Sequence, residues 1–378
     1  MKTTYIIASA IVLIVIVIGS VFAYMYLTRA TTSTPTGKLA PAALSGAGST
    51  LVFPLMSVWT PVYSQVQPGI TVDYDSVGSG TGISYLTQQL VDFGASDAPM
   101  TAAQYAAVPS TVLTIPESAS AVVPAYNIPN ISQHLNFTGT VLANIFLGKI
   151  TNWNDSAIAS LNPGVSLPNQ AILTVHRSDG SGTMFAFTDY LSDASSQWAT
   201  GPGKGTSIDW PVGKGAPKNA GVAAYIAETP YSIGPLEIAY EIQNPGQINY
   251  GAVQNAAGNY ILANVTNIAS ALQAGASSGL PAGNASWTAV SIIDNIYNDT
   301  AATNAYPITT FTYLLVYQRQ TNYDKGAALV NFLSWIVNSA QTYGEGLGYV
   351  PLPSNVVAID NATIGMITYN GQPISAGT

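Results

Sequence analysis

The sequence predicts an α/β protein preceded by an N-terminal helix of membrane length. From Ala40 onward, short β-branched runs alternate with longer helical patterns, with no linker-like stretch and no repeat of fixed period. That alternation is the pattern of strands and helices packed in layers. Ahead of it, Tyr5 to Leu27 carry no charge and include an unbroken aliphatic run from Ala10 to Ile18, and roughly 20 such residues cross a hydrocarbon core.

The N-terminal segment, residues 1–28, has two readings. One is an uncleaved transmembrane anchor; the other is a secretory signal with Lys2 before the apolar stretch and Val21-Phe22-Ala23 as a small-residue cleavage site. A cysteine-linked lipid is excluded because the chain has no cysteine. Residues 29–39 read as a short polar tether. Both readings place the remainder outside the cytoplasmic membrane. Asn-x-Ser/Thr triplets at Asn130, Asn136, Asn154, Asn264, Asn284, Asn298 and Asn361 fit an exterior glycoprotein.

Within the exported part, Ile70 to Asp75 alternates apolar and polar residues like a strand, and Gly82 to Leu90 has helical spacing. Ala171 to His176 is a second strand, followed by a helix over Thr183 to Leu191. Ile308 to Tyr317 is strand-like. Lys325 to Ala340 is helical, with Ala328, Phe332, Trp335 and Ile336 on one face.

Composition closes off several functions. Only 7% of residues are charged, ten basic and eighteen acidic, against about a quarter in ordinary domains. Nucleic-acid binding needs basic clusters that are missing. With no cysteine and only His134 and His176, neither a thiolate nor a multi-histidine metal site is expected, and no cofactor is suggested. A content of 48% hydrophobic residues excludes disorder. So few titratable groups predict a shallow dependence of folding on pH.

Three small-residue turns share one local pattern: Gly46-Ala-Gly-Ser-Thr50, Gly78-Ser-Gly-Thr-Gly82 and Asp179-Gly-Ser-Gly-Thr183, each leading into a helix. Ser or Thr among glycines suits ordinary N-capping. The same turns let free backbone N–H groups and the positive end of a helix dipole approach an anion. None matches a nucleotide-binding signature, so the expected ligand is a small anion. Arg177 precedes the third turn and offers a bidentate fork to a tetrahedral oxyanion, with Asp179 placed to hold it; the alternative is an inconsequential surface pair. Asp97, in Asp92-Phe-Gly-Ala-Ser-Asp-Ala-Pro99, is either an N-cap or an acceptor. An ionised carboxylate only accepts, so it bonds a protonated phosphate oxygen and repels fully deprotonated sulfate.

These stretches, with Val77-Gly-Ser-Gly80, Leu147-Gly-Lys-Ile-Thr-Asn-Trp-Asn-Asp155 and Ile233-Gly-Pro-Leu-Glu-Ile-Ala-Tyr240, resemble the phosphate-binding proteins of ABC-type phosphate uptake systems, from about Leu44 to Val350. The resemblance implies a two-lobed periplasmic-binding-protein-like (type II) fold with a discontinuous first lobe. Lobe 1 would be 40–120 and 307–378, and lobe 2 121–306, with crossing strands near Val122–Tyr126 and Thr309–Leu314. It implies phosphate ligands Thr50, Leu51, Ser79, Asp97, Arg177, Ser181, Gly182 and Thr183, with Asp179 behind Arg177. It implies inorganic phosphate as the ligand, a membrane permease as partner, and a monomer. One departure is Leu51-Val52 before Phe53-Pro54, where the family often has Phe-Pro directly after Ser-Thr; the start of that helix is expected to differ. A receptor for sulfate, molybdate or tungstate is the nearer alternative. A serine hydrolase built on Ser181 and His176 is the farther one, because the sequence is not a nucleophile elbow and His176 alternates away from Arg177.

Overall fold

A computed structural model describes residues 39–277 and 279–375. The apolar N-terminal segment and all but the last residue of the tether lie outside them. Among the described residues no helix is long and apolar enough to cross a membrane.

The chain runs β1 (Ala42–Gly48), α1 (Phe53–Val66), β2 (Ile70–Ser76), α2 (Ser79–Thr87), β3 (Phe93–Ser96) and β4 (Val112–Asn127). It continues through β5 (Leu173–Arg177), α3 (Gly182–Ala194), β6 (Lys214–Ala216), α4 (Lys218–Glu228) and β7 (Ser232–Glu237), and closes with β8 (Thr309–Tyr317) and α5 (Tyr323–Asn338). The strand order is β2-β1-β3-β8-β4-β7-β5-β6, with the short strand Asn249–Tyr250 also on β4. Strands parallel to their neighbours lie at both ends of this order and are joined by helices, as the β–α alternation predicted.

The architecture is two-lobed, and β4 links the halves. Its sixteen residues span about 50 Å. Residues 112–121 pair with β8, and 122–127 pair with β7. All but the last residue is buried, so exposure does not alternate along the strand, although Thr114, Glu117, Ser118 and Ser120 within it are polar. Pro124 lies opposite Pro235, which a central strand tolerates only where the pair exchanges no backbone hydrogen bonds. Pro116 sits at an irregularity. Thr312 pairs with Ser118 and Tyr313 with Pro116, so Glu117 is an extra, bulged residue.

Helix α5 buries Ala328, Phe332 and Ile336 as its spacing predicts, while Trp335 stays half-buried against Tyr63. One of the helix boundaries differs from expectation. Helix α2 begins at Ser79, so the glycine-rich turn supplies its first turn. Helix α1 begins at Phe53 with Pro54 in its first turn, where a missing N–H costs nothing.

The scarce acids are often buried, and burial disfavours their charged form. It pushes Glu117, Glu237 and Asp360 well above the usual carboxylate range. Glu241 is pushed up to about 7 by burial, and Asp193 to about 7 by burial and the charges of Asp294 and Asp189. Groups whose pKa rises on folding stabilise the fold most below their unfolded values, and lose that contribution as pH climbs through the folded ones. This adds a direction to the expected shallow dependence. Tm should be higher at pH 4.5 than at pH 8 in thermal melts monitored by circular dichroism; the reverse order would contradict these burials.

Candidate functional site

The three glycine-rich turns meet where the N-termini of α1, α2 and α3 converge. The first leaves β1 at Gly48, whose φ is +148° and where a Cβ would lie 2.0 Å from Ala95 O. Only glycine lets the chain pass so close to β3. Beyond it, three tyrosine hydroxyls hold three successive carbonyls: Tyr74 donates to Ser49 O at 2.7 Å, Tyr240 to Thr50 O at 2.7 Å, and Tyr349 to Leu51 O. Peptide planes pinned through their carbonyls fix the direction of the N–H groups on the opposite side. The Leu51 N–H meets Ser49 Oγ at 2.9 Å.

Asp97 follows β3 and is 1% exposed. No helix starts there; the next begins at Ala102 and is capped by Thr101, so the N-cap reading of Asp97 is not realised. Its carboxylate instead accepts from Ser49 Oγ on one oxygen and from Ser79 Oγ, at 3.5 Å, on the other. Burial raises its pKa to about 6. The hydroxyls of Ser49 and Thr312, the charge of Arg177 and the hydroxyl of Ser79 hold it from rising further.

Arg177 ends β5 and is 4% exposed. Its Nε donates to Asp179 Oδ1 at 2.7 Å and its Nη2 to Oδ2, so the pair is bidentate. The remaining nitrogen, Nη1, donates to Thr50 Oγ1 at 2.9 Å. Asp179 also accepts the Lys218 N–H at 3.0 Å. Burial opposes its ionisation, but the hydrogen bonds and charge of Arg177 outweigh that, and its carboxyl lies below the usual range.

In the third turn Ser181 caps α3 through the Met184 N–H. The Gly182 N–H donates to Ser79 Oγ at 3.2 Å, and a Cβ on Gly182 would lie 2.6 Å from Asp97 Cβ. Thr183 Oγ1 accepts from Asn219 Nδ2 at 3.1 Å. The structure therefore gathers Thr50, Leu51, Ser79, Asp97, Arg177, Ser181, Gly182 and Thr183 in one buried cluster, with Asp179 half-buried at its edge.

It also adds residues that sequence reasoning missed. Ser49 sits beside Thr50 in a motif already singled out and could have been found there. Asn219 could not. Its N–H donates to Thr50 Oγ1 at 3.3 Å, and its buried Oδ1 has no partner. Tyr74, Tyr240 and Tyr349 come from three distant stretches.

Neither imidazole pairs with Ser181. His176 stacks on Trp210, ring centroids 4.7 Å apart, and His134 Nδ1 meets Tyr250 O. Among the described residues no group of three or more His, Cys, Asp or Glu is arranged to hold a metal ion.

Two lobes sharing a strand, with a buried Arg, a buried Asp and three helix N-termini between them, define the solute-binding class of α/β receptors. A PBP superfamily domain profile matches residues 30–340. The phosphate-binding protein PstS of Xylella fastidiosa (strain Temecula1) is 38% identical over 315 residues, 83% of this chain and 82% of that protein. The PstS of Methanocaldococcus jannaschii is 34% identical over 326 residues, 82% of each. Among solved structures, a phosphate-binding protein from Stenotrophomonas maltophilia has a TM-score of 0.63 at 18% identity, with 85% of this chain and 93% of that one covered. The chain belongs to the PBP superfamily, in the family of these phosphate-binding proteins.

Gly182 tests the contact between the halves. Replacing it with Ala drives a methyl group into Asp97, an overpacking worth about 1–3 kcal/mol. Gly182→Ala should lower Tm and enlarge the radius of gyration measured by small-angle X-ray scattering. An unchanged radius would mean that the halves do not meet there.

Proposed function

We propose that this protein is an extracytoplasmic receptor that binds inorganic phosphate between its two lobes and delivers it to an ABC importer. Lobe 1 is 40–120 with 307–378 and lobe 2 is 121–306, a division supported by the change of partner along β4. The observation that carries the reading is that one buried cation, Arg177, and one buried acceptor, Asp97, lie in the same cluster of hydroxyl and N–H donors. Opening the lobes frees these groups from one another. Closure on phosphate returns each a partner: the guanidinium of Arg177, the N–H groups of Thr50, Leu51 and Gly182, and the hydroxyls of Ser79, Ser181 and Thr183 meet the oxygens. Asp97 accepts a hydrogen bond from the proton that the ligand keeps.

Charge-assisted hydrogen bonds of this kind contribute about 1.5–3 kcal/mol each. They must act locally, because a net charge of −8 gives no overall attraction for an anion. Asp179 keeps the guanidinium fork still and partly offsets its charge. Sulfate brings no proton, so its oxygens would face the Asp97 carboxylate without a hydrogen bond. The N-terminal segment, as anchor or export signal, fits a receptor that works outside the membrane. The permease is the expected partner, and no turnover of ligand is proposed.

Calorimetric titration with phosphate and sulfate tests this. Wild-type protein should bind phosphate and reject sulfate. Arg177→Ala should weaken phosphate binding more than tenfold, about 1.4 kcal/mol or more, and a smaller loss would remove Arg177 from the ligand set. Asp97→Asn should admit sulfate more than it weakens phosphate; unchanged selectivity would overturn the acceptor role.

A further inference from the structure

A fourth helix, α4, also starts at the cluster. Its first residue, Lys218, takes a left-handed φ of +61°, uncommon for a residue with a side chain, and its N–H donates to Asp179 Oδ1 at 3.0 Å. The next residue, Asn219, is fully buried. Its backbone N–H donates to Thr50 Oγ1 at 3.3 Å, and its side-chain Nδ2 donates to Thr183 Oγ1 at 3.1 Å. Because Oδ1 has no partner, the amide makes a single hydrogen bond, and Thr183 receives it.

Nitrogen-bound protons can only be given, and this decides what the two hydroxyls do with their own. A hydroxyl has one proton and two acceptor lone pairs. Thr50 Oγ1 receives the Asn219 N–H and also Arg177 Nη1, the latter at 2.9 Å, so both lone pairs are engaged. Thr183 Oγ1 receives the Asn219 amide. Among the described residues neither hydroxyl donates to a protein acceptor, although Thr50 is 1% exposed and Thr183 0%. Thr188, further along the same helix as Thr183, behaves as helical hydroxyls usually do and gives its proton to Met184 O at 2.8 Å. Two unspent protons therefore lie buried in the cluster that holds the Arg177 guanidinium.

We propose that Asn219 is a positioning residue for anion binding: by placing N–H donors on the oxygens of Thr50 and Thr183, it turns both hydroxyl protons toward the ligand's oxygens. The inference rests on the phosphate-receptor reading. Asn219 acts through the two threonines, one by its backbone and one by its side chain. Without the amide, the Thr183 hydroxyl loses the contact that fixes its rotation, and its proton is no longer committed to the ligand. A side chain that only accepts, such as an aspartate, would take that proton and cancel the donor altogether.

A double-mutant cycle read by calorimetry with inorganic phosphate at pH 7.5 decides. Asn219→Ala keeps the backbone N–H on Thr50 and removes the amide from Thr183, so it should weaken binding about fivefold, the worth of one oriented hydrogen bond. In a Thr183→Val background the same substitution should cost less than about twofold, because the hydroxyl it serves is gone. In a Thr50→Val background the full loss should remain. A purely structural role for Asn219 would give the same loss in all three backgrounds. An undiminished loss beside Thr183→Val overturns the proposal. So does wild-type affinity in Asn219→Ala, which would mean that the amide stands reversed and consumes the Thr183 proton. If Asn219→Ala fails to fold, Asn219→Asp keeps the shape: it should lose more than about tenfold, and that loss should shrink about fivefold beside Thr183→Val. No shrinkage overturns the proposal equally. A wild-type protein that binds no phosphate would instead refute the receptor reading, and this inference with it.

Discussion

A carboxylate removed from water must be met by donors, and Asp97 sets that demand for the whole centre of the molecule. The nearest hydroxyls are Ser49 from the turn after β1 and Ser79 from the start of α2. Ser79 in turn receives the Gly182 N–H from the other lobe. The charge that balances Asp97 is on Arg177, which reaches the same turn through Thr50. Each partner sits where it does because the alternative is an unpaired charge in a low-dielectric interior.

Satisfying that demand requires backbones to approach more closely than side chains allow. Gly180 and Gly80 face each other, with the Gly80 N–H donating to Gly180 O at 3.1 Å. The turns gain rigidity from elsewhere, as tyrosines held by the surrounding core pin the carbonyls from behind. Positioned donors need no reorganisation when a ligand arrives, which is the main source of strength for a neutral-looking surface that binds an anion.

Much of this was legible in sequence. The strand before the third turn could be read by its alternation, which put Arg177 inward and His176 outward, and the structure agrees. The turns were visible because Gly and Ser/Thr punctuate strand-to-helix junctions regardless of fold. Helix α2 was placed three residues late because Ser79-Gly-Thr-Gly82 has poor helix propensity, and packing against β1 and β3 overrides it. Asn219 and the carbonyl contacts of the tyrosines were invisible, even though Tyr240 ends a motif already singled out, because their partners lie far away in sequence and only closure of the chain brings them together. The bulge at Glu117 was missed for another reason: Pro116 beside it signals a break in a central strand, but only the strand pairing shows which residue the bulge displaces.

The strand order has a consequence for how the molecule comes to exist. Strand β8 lies between β3 and β4 in the sheet, yet it is synthesised after both and after all of the second lobe. The first lobe therefore has a gap in its middle until residue 317 has emerged, and β3 and β4 cannot pair across it. The nested lobe can condense earlier from contacts nearer in sequence, while the outer one waits on loop closure over nearly two hundred residues, entropically costly and slow. A growing chain of this topology stays partly open until near its end.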